Sequence, residues 1–402
     1  MKKIKYLPIL CCLVYFVSYV TRINYQAALS EIVTDLEITR QLASIAVTGS
    51  FITYGAGQII SGFIGDKMKP QNVILVGIIG TSFINVLVFL FPNIYFMNTV
   101  WCFNGFFQAL LWPPLVRIIS ENIHASKYEM TVLYVSWSSY LATVIIYIIV
   151  PIIISFASWR LVFLISALCA IIFAAVWFFG TRNLTPIYDF SKAKTTDGKI
   201  SARLLISVGI IPMLIAVLLQ GMLRDGITTW MPSYIADTFN LGNNVSILTT
   251  AILPLFSIFG TALTTLISKK LRNELLSSAV FFGSACVFNV VMALLFAKFI
   301  PLDIFSMAMV SVCMHGVNLM LISNVPRYFA RFGKVSTVSG IMNAATYIGS
   351  ALSTYVFAVF SDKYGWNFTV ISWAVIAFIG FALCAICIRK WKTFMKEEEV
   401  EA

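Results

Sequence analysis

Charged side chains are scarce in this sequence, and their scarcity excludes most classes of soluble protein. Only 11% of the 402 residues are Asp, Glu, Lys or Arg, whereas 59% are hydrophobic and the mean hydropathy is +0.90. A soluble domain carries about 25% charged residues, and a disordered chain carries far fewer apolar ones. Apolar windows of about 20 residues, the length that crosses a bilayer as a helix, recur between short polar loops. We therefore interpret the chain as an integral membrane protein.

Histidine and the common catalytic motifs are also in short supply. The chain has two histidines and contains no HExxH motif, no phosphate-binding P-loop, no GxSxG nucleophile elbow and no paired carboxylates within one apolar run. The eight cysteines lie mostly within apolar runs without metal or disulfide spacing, and we interpret them as small packing residues. These features argue against an enzyme, a metal site or a cofactor, and the lack of a repeated selectivity filter argues against a channel.

The first segment, MKKIKYLPILCCLVYFVSYV, resembles a secretory signal because a basic start precedes an apolar stretch. No small-residue cleavage pattern follows, and the apolar run continues through Ala27 and Leu29. We interpret the segment as the first of twelve transmembrane spans. The predicted spans are 7–29, 41–64, 71–91, 95–119, 129–155, 160–181, 204–236, 244–268, 275–298, 302–325, 335–360 and 367–388.

The net charge of +11 is explained by where the basic residues lie. Of the 28 Lys and Arg residues, 22 lie in alternate loops and tails or at the span ends beside them, four lie in or beside the intervening loops, and Arg22 and Arg224 lie well inside spans. The positive-inside rule then places both termini in the cytoplasm of a plasma-membrane protein. The basic balance therefore indicates topology and argues against nucleic-acid binding.

The longest polar stretch divides the predicted spans into two groups of six. We expect an N-terminal bundle at 1–181, a cytoplasmic linker at 182–203 and a C-terminal bundle at 204–402. SYVTRINYQAAL places Arg22, and QGMLRDGITTWM places Arg224, at a similar depth in the first span of each half. Two parallel repeats around a central cavity are the arrangement of the major facilitator superfamily, which the chain resembles. The resemblance predicts an all-α membrane protein with twelve transmembrane helices.

A loop after the second span supports this resemblance. GFIGDKMKP, at 62–70, is similar to the cytoplasmic loop motif of the superfamily. Its glycines would allow close helix approach, and its acid could accept hydrogen bonds from the N-terminus of a neighbouring helix. An ordinary solvated turn is the alternative. The matching segment at 260–273 lacks the acid, which predicts an asymmetric gate. We assign the gating role to Gly62, Gly65, Asp66 and Lys67.

The two arginines within spans predict a binding site for an anion. A guanidinium at the bilayer centre costs about 2.5–3.5 kcal/mol on insertion scales, so Arg22 and Arg224 are expected to face a cavity. The planar fork of arginine bonds two phosphate oxygens and keeps its charge. Asp225 follows Arg224, but adjacent helical residues diverge by about 100°, so we expect no pairing. The alternative is that each arginine is neutralised inside the protein. Further polar groups near Arg22 are Tyr15, Tyr19 and Asn24.

Four segments together resemble the organophosphate:phosphate antiporters, which include glycerol-3-phosphate and hexose-phosphate transporters. They are YVTRINYQAAL, FQALLWPPLVRIISE (107–121), LRDGITTWMPSYI (223–235) and SDKYGW (361–366). The resemblance implies that Arg22 and Arg224 bind the phosphoryl group, with Tyr19 and Tyr15 at the positions of family tyrosines. Three positions depart from glycerol-3-phosphate transporters, where Lys, His and Asp are usual. They are Gln58, Tyr140 and Thr229.

We expect alternating-access transport of a small anionic, phosphorylated organic solute in exchange for inorganic phosphate, by a monomer surrounded by membrane lipid. Two alternatives stay open: proton- or sodium-coupled symport of an organic carboxylate such as a sugar acid, and a receptor that binds an organophosphate without transporting it. Gln58 and Tyr140 are also substrate-binding candidates. The candidates in the later spans are His315, Asn318, Asn343 and Tyr347. Asp225 and His315 are the candidates for ion coupling.

Overall fold

The computed structural model describes residues 6–38, 40–185, 209–240 and 252–401, and most of the predicted linker at 182–203 lies outside these ranges. All the regular structure in these ranges is helical. The α-helices, in chain order, are α1 Leu7–Asp35, α2 Arg40–Lys67, α3 Pro70–Leu90, α4 Ile94–Ala109, α5 Trp112–Asn122, α6 Ala125–Phe156, α7 Arg160–Thr181, α8 Ile210–Phe239, α9 Ile252–Leu271, α10 Glu274–Leu294, α11 Ile300–Asn318 and α12 Val335–Glu401.

The hydropathy of these helices confirms the all-α membrane class. Eight stretches within the described ranges are long and apolar enough to cross a membrane. Their ends follow local sequence signals: Pro70 starts α3, and the side chain of Asn93 accepts hydrogen bonds from the first turn of α4. Asn273 caps α10 in the same way through the backbone N–H of Leu276.

The predicted span 95–119 is two helices rather than one. α4 ends at Ala109 and α5 begins at Trp112, directly before Pro113 and Pro114. Proline has no N–H to donate and clashes with the preceding turn, so two successive prolines favour the start of a new helix. The predicted span 95–119 therefore contains a helix break that its hydropathy does not reveal.

The predicted span 302–325 also changes its helical form partway. α11 is followed by a π-helical segment, Leu319–Asn324, and a 3₁₀ segment, Val325–Phe332. π-helical turns are rare and occur often at functional sites. In α12 the regular backbone is interrupted at Gly365, with φ 82° and ψ 172°, inside the loop predicted between the last two spans. That left-handed φ is readily adopted by glycine.

Internal contacts divide the chain into two compact units. Unit 1 comprises Met1–Thr196 and Phe329–Ala344, and unit 2 comprises Asp197–Tyr328 and Ala345–Ala402. In unit 1, α1 packs on α6, α2 on α4 and α3 on α7, whereas in unit 2 α11 packs on α8, α9 and α10. Unit 1 takes in 329–344, which the sequence assigns to the second bundle. The predicted bundle boundaries stay a prediction.

Candidate functional site

Arg22 lies half-buried on α1 within a cluster of aromatic rings in unit 1. Its guanidinium carbon is 4.5 Å from the ring centroid of Tyr54, 5.3 Å from that of Phe51 and 5.9 Å from that of Tyr19. We call these three residues the aromatic cage. A cation over an aromatic face gains about 0.5–2 kcal/mol, more as water is excluded. The cage therefore stabilises a positive charge at membrane depth and restricts where its fork can point.

Tyr15 extends the cage toward the break between α4 and α5. Its ring lies 5.3 Å from that of Tyr19 and 4.8 Å from that of Trp112, which is buried at the first position of α5. The proline-induced break thus places an indole against the helix that carries Arg22. The sequence predicted Tyr15 and Tyr19 as site residues, and the structure places Tyr19 next to Arg22 and Tyr15 next to Tyr19.

A buried network of polar side chains holds α1 from another direction. The amide of Gln108 donates to Thr21 Oγ1 at 2.9 Å, and Ser18 donates to Gln108 Oε1 at 2.6 Å. Asn24 Nδ2 donates to Asn85 Oδ1 at 2.7 Å. We call this set the α1 polar network; its members are Ser18, Thr21, Asn24, Thr81, Asn85, Asn104 and Gln108. Because Thr21 and Asn24 lie on either side of Arg22 in the chain, the network fixes the rotation of α1 and hence the direction of the arginine.

The remaining candidates of unit 1 occupy different environments. Asn24 is fully buried in the α1 polar network, so the structure gives it contacts that position α1. Gln58 is also fully buried; its Nε2 donates to the Ala109 carbonyl at 3.4 Å, and its Oε1 has no partner among the described residues. Tyr140 is half-buried on α6, and Asn343 is buried in the segment of α12 that belongs to unit 1.

The predicted contact between Asp66 and a helix N-terminus is confirmed within unit 1. Asp66 Oδ1 accepts from the backbone N–H of Ser336 at 2.9 Å, and Oδ2 accepts from that of Thr337 at 2.8 Å, at the start of α12. A carboxylate at this position satisfies donors that the helix itself leaves unpaired and complements its dipole. Burial raises the pKa of the Asp66 carboxyl, and the bonds from Thr337 and Ser336 and the nearby Arg117 oppose that rise.

The glycines and basic groups around Asp66 allow this contact. A Cβ at Gly62 would come 2.7 Å from the Ser336 carbonyl oxygen, so only glycine permits this approach of α2 to α12. Arg117 donates to the carbonyls of Gly65 at 2.6 Å and Asp66 at 2.9 Å, and so caps the C-terminal end of α2. Lys67 is exposed in the last turn of α2. The role of these residues as a gate stays a prediction.

Arg224, in unit 2, is paired with its neighbour, and the expectation that the two would not meet was wrong. Arg224 Nε lies 2.7 Å from Asp225 Oδ1, and its terminal NH2 group lies 2.8 Å from Oδ2. Ser350 of α12 donates to the same Oδ2 at 2.5 Å. Helical geometry separates the two Cβ atoms, but the long arginine side chain folds back along the helix and reaches the carboxylate. The result is a bidentate pair that keeps about a sixth of the Arg224 side chain exposed, at 16%.

Further polar residues of unit 2 lie on α8, α11 and α12. Gln220, fully buried one turn before Arg224, donates to the Met314 carbonyl at 3.0 Å and accepts from Thr346 at 3.4 Å. It thereby joins α8 to α11 and α12. His315 interacts electrostatically with both members of the Arg224–Asp225 pair. Asn318 lies one turn beyond His315, at the end of α11, and Tyr347 follows Thr346 on α12; both are half-buried.

The segment 260–273 corresponds to the loop around Asp66 and has no acidic residue, but Glu274 follows it immediately. Glu274 is buried and accepts from Tyr328 at 2.8 Å and from Trp391 Nε1 at 2.8 Å, with Arg327 at 3.3 Å. Unit 2 therefore has its own buried acidic residue at this end of the helices, joining α10, the 3₁₀ segment and α12. Its sequence signal is the capping pair Asn273–Glu274.

Sequence reasoning did not find Phe51, Tyr54 or, apart from Asn24, the members of the α1 polar network as parts of the site. Phe51, Tyr54 and Gln58 recur at helical spacing on one face of α2, and that spacing is the signal that points to Tyr54. The network carries a weaker signal. Each of its polar residues alone is typical of ordinary packing between membrane helices, and only the fold shows that they connect.

Comparison with known proteins identifies the family. Residues 11–354 match the Major Facilitator Superfamily, so the chain belongs to it. This is a family of transport proteins rather than of enzymes, and the protein is a multi-pass membrane transporter. A solved structure of the superfamily transporter FucP is similar with a TM-score of 0.78 over 96% of this chain and 99% of FucP, at 12% identity, which supports the fold alone.

The resemblance to organophosphate transporters is confirmed at modest identity. A probable hexose phosphate transport protein of Chlamydia muridarum is 28% identical over 160 residues, 39% of this chain and 35% of the relative. The membrane sensor protein UhpC of Escherichia coli is 28% identical over 106 residues, 26% of this chain and 24% of the sensor. The alignment with the first of these relatives thus spans 35% of its length.

Proposed function

We propose that this transporter moves a phosphorylated small organic solute across the plasma membrane by alternating access, in exchange for inorganic phosphate. The observation that carries the proposal is the environment of its two membrane arginines: Arg22 lies in the aromatic cage, and Arg224 is held by a carboxylate. Both sites suit a dianionic phosphoryl group, because the guanidinium fork bonds two oxygens and keeps its charge. The name of the chlamydial relative supports a hexose phosphate as the first solute to test.

Arg224 gives the proposal a mechanism for release as well as binding. A phosphoryl group that approaches Arg224 competes with Asp225 for the same guanidinium N–H groups. When the anion leaves, Asp225 re-forms the bidentate pair and neutralises the arginine without substrate. The anion thus replaces Asp225 as the partner of Arg224 and does not bind to an unpaired guanidinium. Because the bond to Asp225 must be given up, the net affinity for the anion is moderate and its release is fast.

The remaining candidate residues would contact different parts of the solute or position the helices. Tyr15, Tyr19 and Tyr140 would donate hydroxyl hydrogen bonds to the anion from unit 1, and Asn24 would position α1 through its network. In unit 2, His315, Asn318 and Tyr347 would contact the organic part of the solute. Gln58 and Asn343 would contribute amide groups. Gly62, Gly65, Asp66 and Lys67 would form the gate, with both chain termini in the cytoplasm.

The proposal is tested with purified protein in vesicles loaded with inorganic phosphate and offered labelled hexose 6-phosphate. We expect uptake that requires internal phosphate and that falls about 100-fold or more in Arg22→Lys and Arg224→Lys, because lysine cannot bond two oxygens at once. Arg160→Lys is the matched control: this arginine is 42% exposed and 3.6 Å from Asp35. Normal exchange by Arg22→Lys would refute the site assignment.

A second candidate function is favoured by the position of His315 beside the Arg224–Asp225 pair. Proton- or sodium-coupled symport of a sugar acid predicts uptake that needs an ion gradient and no internal phosphate. The similarity to the sensor UhpC favours a third candidate, a receptor. A receptor would bind the organophosphate saturably without transporting it. The same vesicles separate these outcomes when internal phosphate and the ion gradients are varied independently.

A further inference from the structure

Asp303 is a buried carboxylate of unit 2 that the proposed transport cycle does not use. It lies in the first turn of α11 with 0% of its surface exposed. Its Oδ2 accepts a hydrogen bond of 2.5 Å from the Tyr234 hydroxyl, whereas Oδ1 has no partner within the part of the chain that the structure describes. A carboxylate buried in this way is costly unless a proton or cation neutralises it.

Other buried polar atoms near Asp303 also lack partners among the described residues. Ser306, one turn along α11, is 1% exposed and its Oγ has no hydrogen-bond partner. The ring of Tyr234 lies 6.4 Å from that of fully buried Trp373, whose indole Nε1 is likewise unpaired. Asn289 of α10 is 0% exposed, and neither its amide oxygen nor its amide nitrogen has a partner. Native proteins leave few such groups, so a concentration of them in one region needs an explanation.

The helix packing brings these groups to the same region of unit 2. α10 packs on α11. On its side toward α12, the Cys286 thiol lies 3.5 Å from the Ala374 carbonyl. Asn289 is one turn further along α10. Its neighbour Phe288 has its ring centroid 6.0 Å from that of Phe305 on α11, so this turn of α10 packs against the turn of α11 that carries Asp303 and Ser306. Asp303 and Ser306 share one face of α11, and Asp303 bonds to Tyr234 of α8.

The oxygen atoms without partners match the ligands of a hard cation. Asp303 Oδ1, Asn289 Oδ1 and Ser306 Oγ are the carboxylate, amide and hydroxyl oxygens that such ions prefer. A single carboxylate balances a monovalent ion, whereas Ca²⁺ takes about six to eight oxygen ligands and Mg²⁺ keeps several waters. A proton would neutralise Asp303 but would leave the Asn289 and Ser306 oxygens without a partner. We propose that Asp303, Asn289 and Ser306 bind Na⁺ inside unit 2, with Tyr234 orienting the carboxylate.

Binding of Na⁺ at this place does not depend on what the protein transports. Its use as a coupling ion would rest on the proposed function, because only a transport cycle can link it to a solute. The two questions therefore need separate measurements. Ion binding is measured on the full chain without any solute, and exchange is measured in vesicles.

The experiment follows binding of radioactive Na⁺ and the melting temperature of the detergent-purified protein in NaCl, KCl or choline chloride at equal ionic strength and fixed pH. We expect saturable Na⁺ binding and a rise in melting temperature that KCl and choline chloride do not produce. Asp303→Asn should weaken Na⁺ binding by about 100-fold or more, and Ser306→Ala by about tenfold, a range typical for changes around a bound metal.

Asp237→Asn is the matched control, because this exposed acid lies on the same helix as Tyr234 but accepts a hydrogen bond from half-buried Trp366 at 3.0 Å. It should bind Na⁺ as the unmodified protein does. Ser306→Ala changes little volume and keeps the test decisive if Asp303→Asn does not fold. Absence of specific Na⁺ binding by the unmodified protein, or equal binding by Ser306→Ala, would overturn the proposal. Phosphate exchange in vesicles reports on the proposed function independently of either result.

Discussion

Asp225 sets the charge state that an anion meets at Arg224. Replacing it with Asn removes the counter-ion of a partly buried guanidinium and leaves the Ser350 hydroxyl as a neutral neighbour. We expect Asp225→Asn to melt at a lower temperature than the unmodified protein in anion-free buffer, because an uncompensated charge at membrane depth is costly. Added inorganic phosphate should then raise the melting temperature of the variant more than that of the unmodified protein.

The control for this prediction is Ser350→Ala, which removes one hydrogen bond to Asp225 and leaves the ion pair in place. Its response to phosphate should match that of the unmodified protein. If phosphate raises the melting temperature of Asp225→Asn no further than that of the unmodified protein, Arg224 is not an anion ligand.

Tyr54 allows the contribution of the aromatic cage to be measured directly. It has the shortest distance to Arg22, 4.5 Å, and is 4% exposed. Tyr54→Phe keeps the ring, and Tyr54→Leu removes it at similar depth. We expect Tyr54→Leu to lower kcat/KM for hexose phosphate exchange by about tenfold, which matches a cation–π energy near 1.4 kcal/mol. Tyr54→Phe should stay within about twofold, and an equal loss in both variants would assign the effect to the hydroxyl group instead.

At the residue scale the sequence predicted charges better than it predicted partners. Arg22 and Arg224 stand out in apolar runs, and Asp66 was expected to meet a helix N-terminus, as it does. The pairing of Arg224 with Asp225 was missed because helical spacing describes Cβ directions, and a long flexible side chain is not bound by them. Phe51 and Tyr54 of the cage were missed because aromatic residues in membrane helices usually only pack.

At the element scale, close helix packing depends on glycines whose replacement can be tested in pairs. A Cβ at Gly62 would come 2.7 Å from a backbone oxygen of α12, whereas a Cβ at Gly283 would stand 3.5 Å from the Phe381 ring, an ordinary contact. We expect Gly62→Ala to destabilise the protein by about 1–3 kcal/mol through forced separation of α2 and α12. Gly283→Ala should melt within a few degrees of the unmodified protein. Equal melting of the two variants would show that α2 and α12 do not require this approach.

Helix ends and helix forms were predicted unequally well. Hydropathy locates long apolar helices such as α3 and α7, whose observed bounds lie within a few residues of the predicted spans. The break before Trp112 is followed by two successive prolines, so the sequence alone contained the signal for it. The π-helical Leu319–Asn324 has no comparable signal, because its residues would fit a regular α-helix and the packing around them decides the form.

At the scale of the whole molecule, the two halves of the sequence share a second feature besides the arginine in their first span. Asp35 follows Arg22 by 13 residues, and Asp237 follows Arg224 by 13 residues. Each of these acids accepts a hydrogen bond from a tryptophan indole within its own unit, Trp159 at 2.8 Å and Trp366 at 3.0 Å. A repeated arginine and a repeated acid–indole contact at one spacing favour the predicted parallel repeats.

The distribution of basic residues predicts which ends of the helices face the cytoplasm, and this orientation decides which side the group around Asp66 would gate. Met68, just before α3, and Tyr95, in the first turn of α4 after α3, are 55% and 69% exposed. A membrane-impermeant maleimide should label Tyr95→Cys from outside intact cells and Met68→Cys only after the membrane is opened, because loops rich in Lys and Arg stay in the cytoplasm. The unmodified chain controls for reaction of the native cysteines. Labelling of Met68→Cys from outside would reverse the topology and move the Asp66 contact to the external face.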